Sequence, residues 1–294
     1  MWYKAIPARA AAVPADGKRV ANLSVTGKDR TGVVARYTSY LFENGANIEA
    51  IEERVRRGEF HMLLQASWTK ELDEARVARE LAKLGKELGM DTRFRVHTPG
   101  ELRKTALFVT RESHCLDAVM TATRRKRVRI EPLLVISNRK ELAAKAESYG
   151  LPFHHISWND PARAEARALK LCDKADVDLI VLARFMRILS PGFVWKYPNR
   201  IVNVHPSLLP SFPGASAYRQ AWEHGVRVAG ATAHFVTPDL DQGPILAQKS
   251  FPIPRGAEVA DIRAKGQQAE AEVLVEALDM CVREDLDVHW GRVW

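Results

Sequence analysis

Asn203 and His205 stand two residues apart in the stretch Arg200-Ile201-Val202-Asn203-Val204-His205-Pro206-Ser207-Leu208-Leu209-Pro210. The apolar residues around them read as a buried strand that breaks off in a proline-closed loop. Side chains two apart on a strand share a face, so an amide and an imidazole leave one strand end together. An amide N–H can stabilise charge growing on a carbonyl oxygen, and an imidazole can donate a hydrogen bond or carry a proton. Asp241 opens the turn Asp241-Gln242-Gly243-Pro244 and brings a carboxylate that its loop could aim back at His205. Taken alone, the same residues also fit a strand end satisfied by loop backbone and an ordinary turn aspartate.

Other chemistries find less support. His114 and Cys115 are neighbours at a helix start and do not face each other, which disfavours a thiol–imidazole nucleophile. The three cysteines, Cys115, Cys172 and Cys281, form no CxxC pair, so neither a disulfide framework nor a zinc site is expected. Thr110-Arg111-Glu112-Ser113-His114-Cys115 stands where a dinucleotide or triphosphate binder carries its glycine-rich loop. The one dense basic run, Arg124-Arg125-Lys126-Arg127-Val128-Arg129, lies at a helix C-terminus, where it complements the dipole. It lacks the interleaved aromatics that stack nucleic-acid bases.

The chain has 294 residues, enough for about two domains, with 46% hydrophobic and 27% charged residues and a net charge of +8. Its basic residues are mostly dispersed, which favours anionic ligands only weakly. No apolar run reaches the roughly 18 residues of a membrane span, and Met1 to Lys18 lacks the apolar stretch of a signal peptide. The cytoplasm is the expected compartment.

The elements that must position the site fall into two grammars. Residues 19–27 alternate as a strand, a helix follows Asp29-Arg30-Thr31-Gly32 and stops at Asn44-Gly45, and 47–56 and 59–69 form a hairpin. A helical pattern over 72–88 and a strand over 91–97 complete the order βαββαβ, a ferredoxin-like sandwich. Thr98 to Lys104 reads as a boundary, with the linker at 99–104. From Thr105 strands alternate with helices: strands at 105–110, 133–137, 153–157, 177–183, one ending at Val204, and 230–236. Helices are expected at 112–124, 139–148 and 161–174, and a C-terminal helix at 259–283 with a tail strand or extension over 287–294. Strands that are apolar throughout need cover on both faces, so this half is expected to be a doubly wound, mostly parallel sheet. Its site then lies at the carboxyl ends of the strands.

Two resemblances sharpen this reading. Asp29-Arg30-Thr31-Gly32-Val33-Val34 with Asn44-Gly45-Ala46-Asn47-Ile48 resembles the ACT domain family, giving a regulatory domain at 1–98 with its core from about 18. That implies an amino-acid effector near Asp29, Arg30, Gly32 and Asn47, and subunit pairing as a homodimer or homotetramer. Asn203 to Pro210, Gly230 to Val236 and Asp241 to Ile245 are similar to the formyltransferase fold family, spanning 105–294. An ACT-like module ahead of such a domain resembles its formyltetrahydrofolate deformylase branch. The resemblance implies metal-free hydrolysis of N10-formyltetrahydrofolate in one-carbon metabolism, with Asn203, His205 and Asp241 catalytic and no tightly bound cofactor. Met186, Arg187, Ile188 and Leu189, with His234, Asp239 and Gly243, would line the folate site. Pro206 and Ala217 depart from that branch's usual pattern, which leaves an amine as the alternative formyl acceptor. A folate-binding protein without activity is a third reading.

Overall fold

The structure is a computed structural model, and it describes residues 19–56, 58–69, 71–96, 101–282, 288–289 and 292–293. The Ala/Pro-rich N-terminus, the Thr98-Pro99-Gly100 boundary and most of the tail after Val282 lie outside the described residues. The chain divides into two compact units, 19–101 and 102 onward.

The first unit runs β1 (Arg19–Lys28), α1 (Val33–Glu43), β2 (Asn47–Arg56), β3 (Glu59–Trp68), α2 (Glu74–Leu88) and β4 (Met90–Val96). Its antiparallel sheet has the order β2-β3-β1-β4. Alternation puts Leu23 and Val25 of β1 and Met62 and Leu64 of β3 on the helix side, where Tyr37, Leu41, Val77 and Leu81 bury against them. Asp73 caps α2 by accepting from Arg76 N at 2.9 Å, and Gly89 in the left-handed region ends it. Asp29 does not cap α1; that helix starts after Gly32, which is left-handed (φ 85°) and makes no side-chain cap.

The second unit continues β5 (Arg103–Val109), α3 (His114–Arg124), β6 (Ile130–Ser137), α4 (Ala143–Ser148), β7 (Phe153–His155), α5 (Pro161–Lys174), β8 (Leu179–Ala183), α6 (Pro191–Val194), β9 (Ile201–His205), α7 (Ala217–Glu223), β10 (Val228–Phe235), β11 (Ile245–Pro252) and α8 (Val259–Val282). Two short strands, β12 (Val288–His289) and β13 (Arg292–Val293), pair with each other. The main sheet has the order β11-β10-β9-β8-β5-β6-β7, with β5 to β9 parallel and β10 and β11 antiparallel. The chain moves outward from β5 through β6 and β7, then returns to β8 on the other side of β5. That reversal opens a crevice beyond the carboxyl ends of β5 and β8, the place where such sheets bind ligands. The strands bury both faces, as their uniform apolarity requires: Leu107, Val181 and Val202 pack with α3 and α8, while Phe108, Ile180 and Ile201 pack with α5 and α6.

Three features of this unit hold the loops at the crevice. Phe185, just past β8, is buried edge-to-face against Phe108 and Trp158, with ring centroids 5.3 and 4.9 Å apart; such pairs add about 0.5–1.5 kcal/mol each beyond their buried area. Thr232 on β10 donates to Ser207 O and accepts from Leu209 N and Gln248 Nε2, so its hydroxyl is saturated and the turn after β9 is pinned. The loop from Thr237 to Pro244 folds back on the end of β10, with Phe235 N donating to Pro244 O at 2.9 Å. Gly243 lies so close there that a Cβ would sit 1.8 Å from the Phe235 carbonyl oxygen. Gly243→Ala must therefore displace backbone, and we expect a loss of about 1–3 kcal/mol or more in urea unfolding at unchanged m-value; a midpoint equal to wild type would contradict the packing described.

Candidate active site

β9 carries Ile201, Asn203 and His205 on one face and Val202 and Val204 on the other. Its antiparallel pairing with β10 sets Asn203 opposite His234 and His205 opposite Thr232. Asn203 Nδ2 lies 3.2 Å from His234 Nε2. His234 Nδ1 donates to the Phe235 carbonyl at 2.8 Å, which leaves Nε2 of the neutral ring as an acceptor. The Asn203 amide must then face His234 with its NH2 group, and its second N–H remains for a ligand. Burial lowers the pKa of His234 from its ordinary 6.5, outweighing the opposing pull of the Phe235 carbonyl and Asp241. The fully buried ring is thereby kept in the form that orients Asn203.

His205 is held at both nitrogens. Nε2 donates to the Phe212 carbonyl at 3.0 Å, and Nδ1 lies 3.4 Å from Asp241 Oδ2. Asp241 sits in the left-handed region (φ 54°) with its side chain only 6% exposed. Its Oδ2 accepts from Gly214 N at 2.8 Å, while Oδ1 takes no hydrogen bond among the described residues and lies 3.9 Å from His234 Nε2. The expected three residues thus meet in one place, and the loop does aim Asp241 back at His205. What the spacing did not convey is that the Phe212 carbonyl already occupies one His205 nitrogen.

These groups line a cavity of about 620 Å³. Its apolar rim comes from the segment after β8, where Met186 and Ile188 are 54% and 70% exposed while Phe185 and Leu189 turn inward. That segment is pinned at both ends: Met186 N donates to Thr110 Oγ1 at 3.1 Å, and Ser190 N donates to the buried Glu165 carboxylate at 2.7 Å. Thr110 in turn donates to Asn138 Oδ1 at 3.0 Å. Exposed apolar side chains on a rigid frame suit a flat, apolar ligand. Arg187 is exposed at the same rim.

Two expected residues lie elsewhere. Asp239 is exposed and outside the cavity lining. Gly243 is buried against β10 and also outside it, so its role is the close loop approach already described. In the first unit Asp29, Arg30, Gly32 and Asn47 are all exposed; Arg30 donates to Leu88 O at 3.1 Å and Asn47 to Glu49 at 3.0 Å.

A second polar cluster lines the same cavity and was not expected. Arg184 Nε lies 2.9 Å from Glu112 Oε2 and 3.1 Å from Glu270 Oε2. Glu270 is fully buried, and it also takes His114 Nε2 at 3.1 Å and the Tyr218 hydroxyl at 2.8 Å. One signal could have found it: Glu270 lies on the apolar stripe of α8, beside Ala269, Val273, Leu274 and Ala277. His114, Cys115 and Glu270 bring ligand atoms within 4.8 Å of one another. The Arg184 guanidinium already supplies the cation there, and burial holds the Cys115 thiol well above its usual pKa, so the group suits a protein ion cluster better than a metal.

Residues 103–278 match the Formyl transferase family and residues 22–95 match the ACT domain. A Bacillus subtilis protein named formyltetrahydrofolate deformylase is 34% identical over 275 residues, covering 92% of this chain and 91% of that protein. A Synechocystis protein of the same name is 33% identical, covering 92% of this chain and 96% of its own. The crystal structure of a formyltetrahydrofolate deformylase from Pseudomonas syringae superposes with a TM-score of 0.65 at 28% identity, covering 95% of both chains. A glycinamide ribonucleotide transformylase from Symbiobacterium toebii gives 0.64 at 32% identity, but covers 68% of this chain and 96% of that one.

The His234 geometry has a pH consequence. A folded-state pKa below 6.5 means that the unfolded chain binds more protons, so this contribution is fully present above pH 6.5 and is lost as pH falls through the lowered native value. We expect the urea midpoint to drop between pH 7 and 5 by more in wild type than in His234→Asn; equal drops would contradict the assignment.

Proposed function

Because the chain belongs to the formyl transferase family, with an ACT domain ahead of that unit, we propose that it hydrolyses N10-formyltetrahydrofolate to formate and tetrahydrofolate. The observation that carries this reading is the meeting of Asn203, His205 and Asp241 at a cavity whose rim is exposed apolar surface. Relatives that match over nine-tenths of this chain are named for deformylation of formyltetrahydrofolate, whereas the transformylase likeness covers only the second unit.

A formamide is unreactive because its nitrogen leaves poorly, so attack at the formyl carbon needs charge stabilised on the oxygen. The free N–H of Asn203, aligned by His234, is the donor for that oxygen. In its protonated form His205, held between the Phe212 carbonyl and Asp241, adds positive charge beside it. Asp241 Oδ1, the carboxylate oxygen without a hydrogen bond among the described residues, takes the proton of the attacking water. The intermediate collapses by breaking the C–N10 bond, and N10 leaves with that electron pair and the proton that Asp241 took up. Met186, Ile188 and Leu189 provide the apolar contacts for the flat pteridine, and Arg187 serves the carboxylates of the folate's glutamate tail.

No tightly bound cofactor is part of the proposal. The ACT domain is proposed to take an amino-acid effector near Asp29, Arg30, Gly32 and Asn47, and to pair subunits as a dimer or tetramer. The exposed Ile51 and Val55 on edge strand β2 support pairing. The cytoplasm suits a chain whose three cysteines form no disulfide.

The amine-acceptor reading is kept because Pro206 lines the cavity and Ala217 opens α7, both departing from the deformylase pattern. The test is to incubate the protein with 10-formyltetrahydrofolate, with and without added amine, and follow both tetrahydrofolate and formate. Turnover without amine is expected; turnover only with amine would replace hydrolysis by transfer. Asn203→Ala should lower kcat on the order of 10²–10³-fold. Near wild-type turnover by that variant would contradict its role.

A further inference from the structure

Residues 212–218 form a strap between the two polar clusters. At one end the Phe212 carbonyl accepts from His205 Nε2 at 3.0 Å, and Gly214 N donates to Asp241 Oδ2 at 2.8 Å. At the other end the Tyr218 hydroxyl donates to Glu270 Oε1 at 2.8 Å. In between, Phe212 (φ 52°), Gly214 (φ 82°) and Ser216 (φ 60°) are all left-handed. For the two non-glycine residues this conformation is strained and persists only where the surroundings enforce it. The anchor at the Tyr218 end is therefore a condition for the geometry at the Phe212 end.

That anchor is built with some care. Tyr218 is 7% exposed, and burial, with the Glu270 charge, holds its phenol far above its usual pKa, so it stays a donor. Glu270 is fixed by Arg184 and His114 on its other oxygen. The Tyr218 ring reaches Glu270 only by crossing α8 at Gly266, one turn earlier on the same helix face. A Cβ on Gly266 would lie 2.1 Å from Tyr218 Cζ. A glycine inside a helix is destabilising relative to alanine, and the close passage of the ring gives this one a reason.

We propose that Tyr218 is a positioning residue for the hydrolysis, tying the strap to the Arg184–Glu270 cluster so that the Phe212 carbonyl and the Gly214 N–H hold His205 and Asp241 in place, and that Gly266 is the helix position that admits it. This rests on the deformylase reading for its kinetic consequence, but not for its structural one.

The experiment compares wild type, Tyr218→Phe and Gly266→Ala as full-length proteins. Steady-state kinetics with 10-formyltetrahydrofolate are measured beside the ring-nitrogen NMR resonances of His205 in ligand-free protein, assigned against His205→Gln. Tyr218→Phe keeps the ring and removes only the hydroxyl. The expected result is a fall in kcat of about 10- to 100-fold with KM nearly unchanged, together with shifted or broadened His205 resonances; Gly266→Ala should do the same. Wild-type kcat with unmoved resonances would overturn the proposal, as would a loss expressed wholly as raised KM. If wild type itself does not turn over, the deformylase reading falls and the resonances decide alone: moved signals support the strap, unmoved signals overturn it.

Discussion

A carboxylate taken out of water is the constraint to which the rest of the catalytic unit answers. Asp241 is nearly inaccessible, and an isolated charge in that position would be prohibitive. It is made tolerable by one backbone N–H, from Gly214, and by the ring of His205. Neither partner is free to move. His205 is bound at its other nitrogen to the Phe212 carbonyl, and Gly214 belongs to the same left-handed strap. Asp241 itself sits in a left-handed backbone, held by a loop folded against β10. Among the described residues nearly every polar atom around the carboxylate is committed, so the few that are not become the chemically significant ones: the second N–H of Asn203 and Oδ1 of Asp241.

The sheet reversal between β5 and β8 explains why these groups meet. Loops following β5, β8, β9 and β10 all empty into one crevice, so side chains distant in sequence share a cavity. The same geometry gives the cavity two polar walls of different character. Around Asn203, His205 and Asp241 hydrogen-bonding capacity is left over. Around Glu270 the carboxylate is shared by Arg184, His114 and Tyr218.

Much of the fold was legible because period and punctuation agree. Pro161 to Lys174 forms its helix with those bounds, because Asp160 supplies the N-cap and Pro161 the first turn. β2 spans 47–56 as read, and the βαββαβ order holds in the first unit. β11 was not read as a strand: its Gln248-Lys249-Ser250 run is exposed, since edge strands bury little. The short helices α6 and α7 also escaped, because four and seven residues carry too little periodicity. In the site, Asn203 and His205 were readable from a period of two. The Asp241 contact was one of several options for its loop, and the His234–Asn203 bond depends on a cross-strand register that only the fold sets. Asp239 and Gly243 were over-read because they flank Asp241 in sequence while facing away from the cavity in space. Arg184 and Glu270, 86 residues apart by subtraction of their numbers, could not be paired without the topology.

The account stands on water being the group that attacks a formyl carbon at this site. The direct measurement is turnover of 10-formyltetrahydrofolate in oxygen-18 water with no amine present, reading the mass of the formate released. The geometry predicts formate carrying one oxygen from solvent, in equal amount to tetrahydrofolate. Formate that carries no solvent oxygen, or no formate above that formed without protein, would contradict it.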